Sequence, residues 1–307
     1  AIRAVFFERI RKVRFANLSE SLELSERWFL RKNPNFAPSK PSAQNFEALE
    51  KTPLKITFLG TGTSQGVPVI GCRCEVCRST DSRDKRLRTS VLLSKDKVNI
   101  AIDAGPDFRQ QMLREGVESL QAILLTHEHN DHLIGLDEVR AFNFLHWRPM
   151  PVFATPLVQR EVKKRFAYAF DENPYPGAPV IELRTISKQE KFEVEGIEIT
   201  PVEVMHGDLS VLGFRVGDFC YLTDVKTISE EEMEKVYGCK VLVLNALHHK
   251  PHPTHLNLKE ALAMLEKLQP EQAYLTHMSH HIGLYEEVSK NLPSGVALAY
   301  DGLALEV

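Results

Sequence analysis

Within six residues, His127-Glu128-His129-Asn130-Asp131-His132, the chain places three imidazoles and one carboxylate, between the apolar run Ala122–Leu125 and an apolar helical pattern. A packing device has no use for so much polarity in so short a span. Imidazole and carboxylate are the ligands that suit Zn, Fe or Mn, and a turn at a strand end can aim alternate side chains at one point. The motif therefore demands a fold in which strand ends converge. His127 and His129 share one face of such a turn, while Asp131 and His132 can reach a second ion.

A pair of ions needs further ligands, and three more strand ends offer them: Val204-Met205-His206, Leu222-Thr223-Asp224 and Leu275-Thr276-His277. Each alone reads as an ordinary turn residue. With the first cluster they make a seven-ligand set, His127, His129, Asp131, His132, His206, Asp224 and His277, in which Asp224 is suited to bridge both ions. All twelve histidines lie between positions 127 and 281, and ten of them form three clumps, as metal binding would place them.

The framework around these motifs reads as α/β. From Leu54 onward, short apolar runs alternate with helical patterns. Strands are expected at 55–59, 90–93, 98–102, 122–125, 151–154, 197–204, 213–216, 219–222, 241–244, 272–275 and 297–300. Helices are expected from Pro106, whose fixed φ suits a first helical position, and near 133–144, 156–170, 229–237 and 258–268. Ser229 with Glu232 and Asn257 with Glu260 have capping-box spacing. The domain is expected over residues 54–307. Residues 1–53 read as an N-terminal extension and linker, with five basic residues and one acid in the first sixteen and prolines at 34, 38 and 41. An Arg-rich targeting segment is the other reading of that stretch.

Composition narrows the function classes. The formal charge is −3, from 38 basic against 41 acidic residues, so there is no global basic field for nucleic acid or an anionic membrane. No apolar run approaches the roughly 20 residues that span a bilayer, which predicts a soluble chain. Of five cysteines, Cys72, Cys74 and Cys77 crowd together too closely for a disulfide scaffold, which predicts a reducing, cytoplasmic setting. Cys220 and Cys239 sit in apolar surroundings and read as core.

The order His-x-His-x-Asp-His, then His, Asp and His at successive strand ends, resembles the metallo-β-lactamase superfamily over roughly 54–307. That resemblance implies a four-layer αββα sandwich with a dinuclear site along one sheet edge. It also implies that Asp103, in Ile102-Asp103-Ala104-Gly105, orients ligands rather than binding metal. Within the superfamily, Cys72, Cys74 and Cys77 together with His280 resemble the phosphoribosyl cyclic phosphate phosphodiesterases of phosphonate degradation. There three cysteines and a late histidine hold a structural zinc, a closed tetrahedral donor set. His255, before the helix that leads to the last metal strand, matches the histidine that serves the leaving group in this group and in the tRNA-processing endonucleases.

The resemblance implies two divalent ions (Zn or Mn, with Fe a third choice) plus one structural Zn. The expected reaction is hydrolysis of a small cyclic or nucleotide-like phosphodiester by metal-activated hydroxide. Asp131 would orient the nucleophile, and His255, with an ordinary pKa near 6.5, would act as general acid. A thioester or lactone hydrolase could use the same ions. A tRNA-processing endonuclease is a further alternative, with no Gly/Pro-rich or basic RNA-binding arm between 145 and 190 to favour it. A metal-binding scaffold without turnover would be expected to lack a ligand, and none is missing. An oxygen-reducing diiron protein is disfavoured because His129 is intact. The expected partner is a small phosphodiester, with nucleic acid ranked below it, no membrane, and a homodimer left open. Arg86, Arg88, Arg109 and Arg140 are candidate phosphate contacts.

Overall fold

A computed structural model describes residues 52–307 of the chain. The extension and linker expected over 1–53 lie outside it, except for Thr52 and Pro53. The first sheet takes β1 (Lys55–Gly60), β2 (Ser90–Lys95), β3 (Val98–Ile102), β4 (Ala122–Leu124), β5 (Met150–Ala154) and β6 (Ile181–Thr185). The second takes β7 (Phe192–Val194), β8 (Ile197–His206), β9 (Leu209–Val216), β10 (Phe219–Leu222), β11 (Val241–Asn245), β12 (Gln272–Thr276) and β13 (Val296–Leu298). β14 (Ala304–Glu306) returns to the edge of the first, pairing with β1. Each sheet has seven strands, in the orders β14-β1-β2-β3-β4-β5-β6 and β13-β12-β11-β10-β9-β8-β7.

Alternation along the strands builds the layers. Side chains two apart point to one face, so Val241 and Val243 of β11 meet Ile56, Phe58, Ile100 and Ile102 between the sheets. Leu242 and Leu244 turn the other way, toward Val236, Ala261, Leu265 and Leu268 of the helical layer. On the far side of the first sheet, Leu59, Ala101 and Ile123 pack with Phe108, Met112, Val158 and Val162. Two sheets face to face with helices outside each are the αββα sandwich that the sequence predicts. No helix among the described residues is long and apolar enough to cross a membrane.

Strand direction brings the motifs to one edge. β3 and β4 are parallel, as are β10, β11 and β12, and β8 regains the direction of β10 through two antiparallel pairings with β9. The residues that follow β3, β4, β10 and β12, and the last residue of β8, therefore emerge at common ends of their sheets. The sheets are tied there by Leu212 N, which donates to Thr126 O at 3.0 Å.

Several expectations need correction. The helix expected from Pro106 begins at Phe108, with Asp107 before it. The single helix expected over 133–144 is three pieces: Asn130–Leu133, the 3₁₀ segment Ile134–Val139, and Arg140–His146. Gly135 lies in the 3₁₀ segment, where any Cβ would stand 2.0 Å from Gly105 O. The helix expected over 156–170 stops at Arg165, and a 3₁₀ turn follows over Ala167–Ala169. Asn257 and Glu260 form the reciprocal capping box, at 2.9 and 3.0 Å. Ser229 caps its helix, but Glu232 turns away and accepts from Glu203 N at 2.7 Å.

Candidate metal centre

Two of the ligands and one residue beside them sit on tight backbone bends. Asp103, Asp224 and His277 all take left-handed φ, at 66°, 59° and 55°. Such φ values are costly away from glycine and persist where the surrounding structure over-determines them. Here the bend swings each side chain from the strand end into the common edge. Gly105 locks the His127–His132 segment against Asp103, since a Cβ at Gly105 would stand 2.0 Å from Asp131 O. Ala104 N donates to His132 O at 2.7 Å in the same contact.

All seven expected ligands converge. His132 Nε2 lies 3.3 Å from both Asp131 Oδ2 and Asp224 Oδ2. His277 Nε2 lies 3.3 Å from Asp224 Oδ1 and 3.8 Å from Asp131 Oδ2. On the other side, His127 Nε2 faces His129 Nδ1 at 3.0 Å, and the His206 ring lies 5.3 Å from that of His129. His206 Nδ1–H donates to Thr254 O at 2.8 Å, which leaves its Nε2 for the site. Asp224 groups both with His127 and His132 and with His206 and His255.

These residues fit a pair of divalent ions. The Nε2 atoms of His132 and His277 are buried without a hydrogen-bond partner, an expensive condition unless something else satisfies them. Two ligands about 2.0–2.2 Å from one tetrahedral ion stand roughly 3.4 Å apart, close to the 3.3 Å spacings of His132 and His277 from Asp224. Asp103 is not among the ligands. Its Oδ2 accepts from His132 Nδ1–H at 2.6 Å and from Thr126 Oγ1 at 2.9 Å, so it fixes the imidazole that faces the ions.

Electrostatics separate the two sides. Burial holds His127 and His129 below the ordinary imidazole range, so both rest neutral with lone pairs available. Burial would also lower His132, but Asp224, Asp103 and Asp131 outweigh it and hold that pKa well above the ordinary value. Burial pushes Asp131 and Asp224 up, yet the neighbouring histidines leave both well below the usual carboxylate range. His132 therefore carries a proton in the metal-free protein at neutral pH and must lose it to bind an ion. Calorimetric metal titration in buffers of different ionisation enthalpy should show release of about one proton from this residue near neutral pH; a buffer-independent enthalpy would contradict that assignment.

His255 stands within reach, its Nδ1 3.8 Å from Asp224 Oδ1, but not with the expected pKa near 6.5. Burial, helped by His277, pushes it down to about 2, so His255 rests neutral. Among the expected phosphate contacts, Arg86 is only 2% exposed and binds Thr61 Oγ1 and Ala299 O. Arg88 pairs with Asp107 at 3.2 Å and Arg140 with Asp137, while Arg109 is exposed.

Residues that sequence reasoning passed over share a readable signal. A Leu-Thr pair precedes the ligand at His127, Asp224 and His277. Each threonine is buried. Thr126 Oγ1 bonds Asp103 and His127 Nδ1, Thr223 Oγ1 donates to Asp224 Oδ2 at 2.7 Å, and Thr276 Oγ1 bonds Thr89 Oγ1 at 3.0 Å.

The cysteine group is equally compact. Sγ of Cys72, Cys74 and Cys77 lie 3.3, 3.3 and 3.5 Å from His280 Nδ1. A tetrahedral zinc with sulfur at about 2.3 Å and nitrogen at about 2.0 Å would set them roughly 3.6 Å apart. Cys77 N–H donates to Cys74 Sγ and lowers that thiol to about 6, whereas burial pushes Cys77 up to about 11. Cys220 and Cys239 are buried core residues, as expected.

Comparisons agree with this geometry. A family model described as the β-lactamase superfamily domain matches residues 98–278. The octanoyltransferase of Porphyromonas gingivalis is 42% identical over 253 residues, 81% of this chain but 51% of that protein. Coenzyme PQQ synthesis protein B of Methylorubrum extorquens is 31% identical over 162 residues, 48% of this chain and 51% of that protein. The chain thus spans about half the length of the curated relatives it matches. A solved structure described as a new diphosphatase from the PhnP family is 41% identical with a TM-score of 0.77, covering 83% of this chain and 98% of that one. By fold, by the residues matched and by the convergence of its strand-end residues, this chain belongs to the metallo-β-lactamase superfamily and is similar to a PhnP-family diphosphatase.

Proposed function

We propose that the chain is a two-metal phosphodiesterase acting on a small cyclic or nucleotide-like phosphodiester. The observation that carries this reading is Asp224, which stands 3.3 Å from His132 and His277 of one ligand set and also groups with His127 and His206 of the other. The similarity to a PhnP-family diphosphatase supports phosphate-ester chemistry over acyl chemistry. His127, His129 and His206 would hold one ion, Asp131, His132 and His277 the other, and Asp224 both; Cys72, Cys74, Cys77 and His280 would hold a structural zinc. Bound there, the catalytic ions supply a hydroxide near neutral pH and offset charge on the phosphate oxygens.

The chain's own residues do the rest. Asp131, kept ionised, accepts a hydrogen bond from the attacking water and orients it. Asp103 and Thr126 hold His132 and His127 so that neither ring rotates away. His255 rests neutral, and the negative charge of an arriving phosphodiester raises its proton affinity. The ring would then take a proton from solvent, becoming imidazolium, and pass it to the departing oxygen. His255→Ala should slow alkyl-leaving-group diesters by about 10²–10³-fold and nitrophenyl diesters far less; equal losses would remove His255 from the leaving-group role.

The name of the longer Porphyromonas gingivalis relative makes an acyl thioester the proper comparator. Metal-replete protein should turn over bis(p-nitrophenyl) phosphate and leave octanoyl and glutathione thioesters intact. Thioester turnover without diester turnover would overturn the proposal in favour of the acyl reading.

A further inference from the structure

His277 differs from His127, His132 and His206 in how it is held. A metal-binding histidine almost always has its second ring nitrogen fixed by a hydrogen bond. His127 has Thr126 Oγ1, His132 has Asp103 and His206 has Thr254 O, at 2.9, 2.6 and 2.8 Å. Neither ring nitrogen of His277 has a hydrogen-bond partner among the described residues, although both are buried, and only Nε2 faces carboxylates, those of Asp224 and Asp131. Its ring stacks on those of His255 and His132, at 4.8 and 5.8 Å, which limits tilt without fixing a nitrogen. The orientation of His277 must therefore come from its backbone turn.

That turn is pinned along its length. Met278 N donates to Thr61 O at 2.9 Å, Thr63 N donates to Met278 O at 3.1 Å, and Ser279 N donates to Leu247 O at 2.9 Å. The next residue is His280, whose Nδ1 faces the three thiols. The thiols belong to the same stretch of chain that grips Met278. From Thr61–Thr63 it runs through Val67, paired with Arg86, to Cys72, whose N donates to Val69 O at 3.0 Å. An ion between Cys72, Cys74, Cys77 and His280 would close a ring around the His277 turn.

We infer that the cysteine site and His277 form one mechanical unit, in which the ion at the cysteines sets the position of His277 and thereby the affinity for the ion on the Asp131–His132–His277 side alone. The inference rests on the two-ion reading above. The His127–His129–His206 side is outside this coupling, since its His127 and His206 rings are fixed by Thr126 and by Thr254 O on other segments. His280 is thus a positioning residue for a catalytic ligand three positions away.

The test compares His280→Ala with His280→Cys, which restores a four-ligand thiolate set, by chelator-competition titration of each ion with Zn²⁺. His280→Ala should bind one ion with wild-type affinity and the other about tenfold or more weakly, the range for lost ligand support. His280→Cys should recover both. If His280→Ala does not fold, a thiol-specific mercurial that releases the cysteine-bound zinc from wild-type protein should produce the same one-sided weakening. Two wild-type affinities after loss of that zinc, or equal weakening of both ions, would overturn the coupling. A wild-type protein that binds a single ion outside the cysteines would instead overturn the two-ion reading.

Discussion

Asp224→Asn should lower kcat/KM for a phosphodiester by about 10³-fold or more, because the ions' charge stabilisation is worth several kcal/mol and this residue serves both. The substitution isolates charge from shape. Asn is isosteric and is among the few residues that tolerate the left-handed φ of 59° found here. It keeps the turn and Thr223's contact to the side chain, but gives up the second anionic oxygen facing His277. Circular dichroism and a melting curve would confirm that the fold persists. Activity within tenfold of wild type would show that Asp224 does not join the two halves of the site.

Gly105→Ala should be the most damaging substitution outside the ligands themselves. The added Cβ would meet Asp131 O at 2.0 Å, and Gly135 closes on Gly105 O from the other side, so neither backbone can yield easily. Overpacking of this kind costs about 1–3 kcal/mol of stability. Relief by displacement would carry Asp131 and His132 away from Asp224, and a shift of about 1 Å in a catalytic constellation can cost about 10²-fold in rate. Kinetics and thermal unfolding of the variant measure both effects. Wild-type kcat/KM with an unchanged melting temperature would contradict the close-packing account of Gly105.

The site was more legible in the sequence than the framework that carries it. Ligands cluster in short motifs after apolar runs, and the chemistry of three imidazoles with a carboxylate is legible without coordinates. Chain order and strand ends then sufficed to bring seven residues to one edge. The missed strands are β6, β7 and β14, each a short strand with exposed positions and so no sustained apolar run to read. The broken helix after His132 reflects a tertiary contact, Gly135 against Gly105, that no local propensity reports. His255 was placed correctly in space, but its pKa depends on burial and on His277, 22 positions later in the chain. Of the candidate arginines, Arg86 and Arg88 meet partners distant in the chain, Thr61, Ala299 and Asp107, while Arg140 meets Asp137 three residues away and Arg109 is exposed. The threonines before His127, Asp224 and His277 repeat visibly, but only the geometry gives that repeat a meaning.

One edge of this sandwich should hold two ions with Asp224 between them. Anomalous diffraction from crystals of metal-replete protein tests it most directly. Two peaks should appear about 3.5–4 Å apart, one beside His127, His129 and His206 and the other beside Asp131, His132 and His277, with a third among Cys72, Cys74, Cys77 and His280. A single peak at that edge, or two peaks that do not share Asp224, would contradict it.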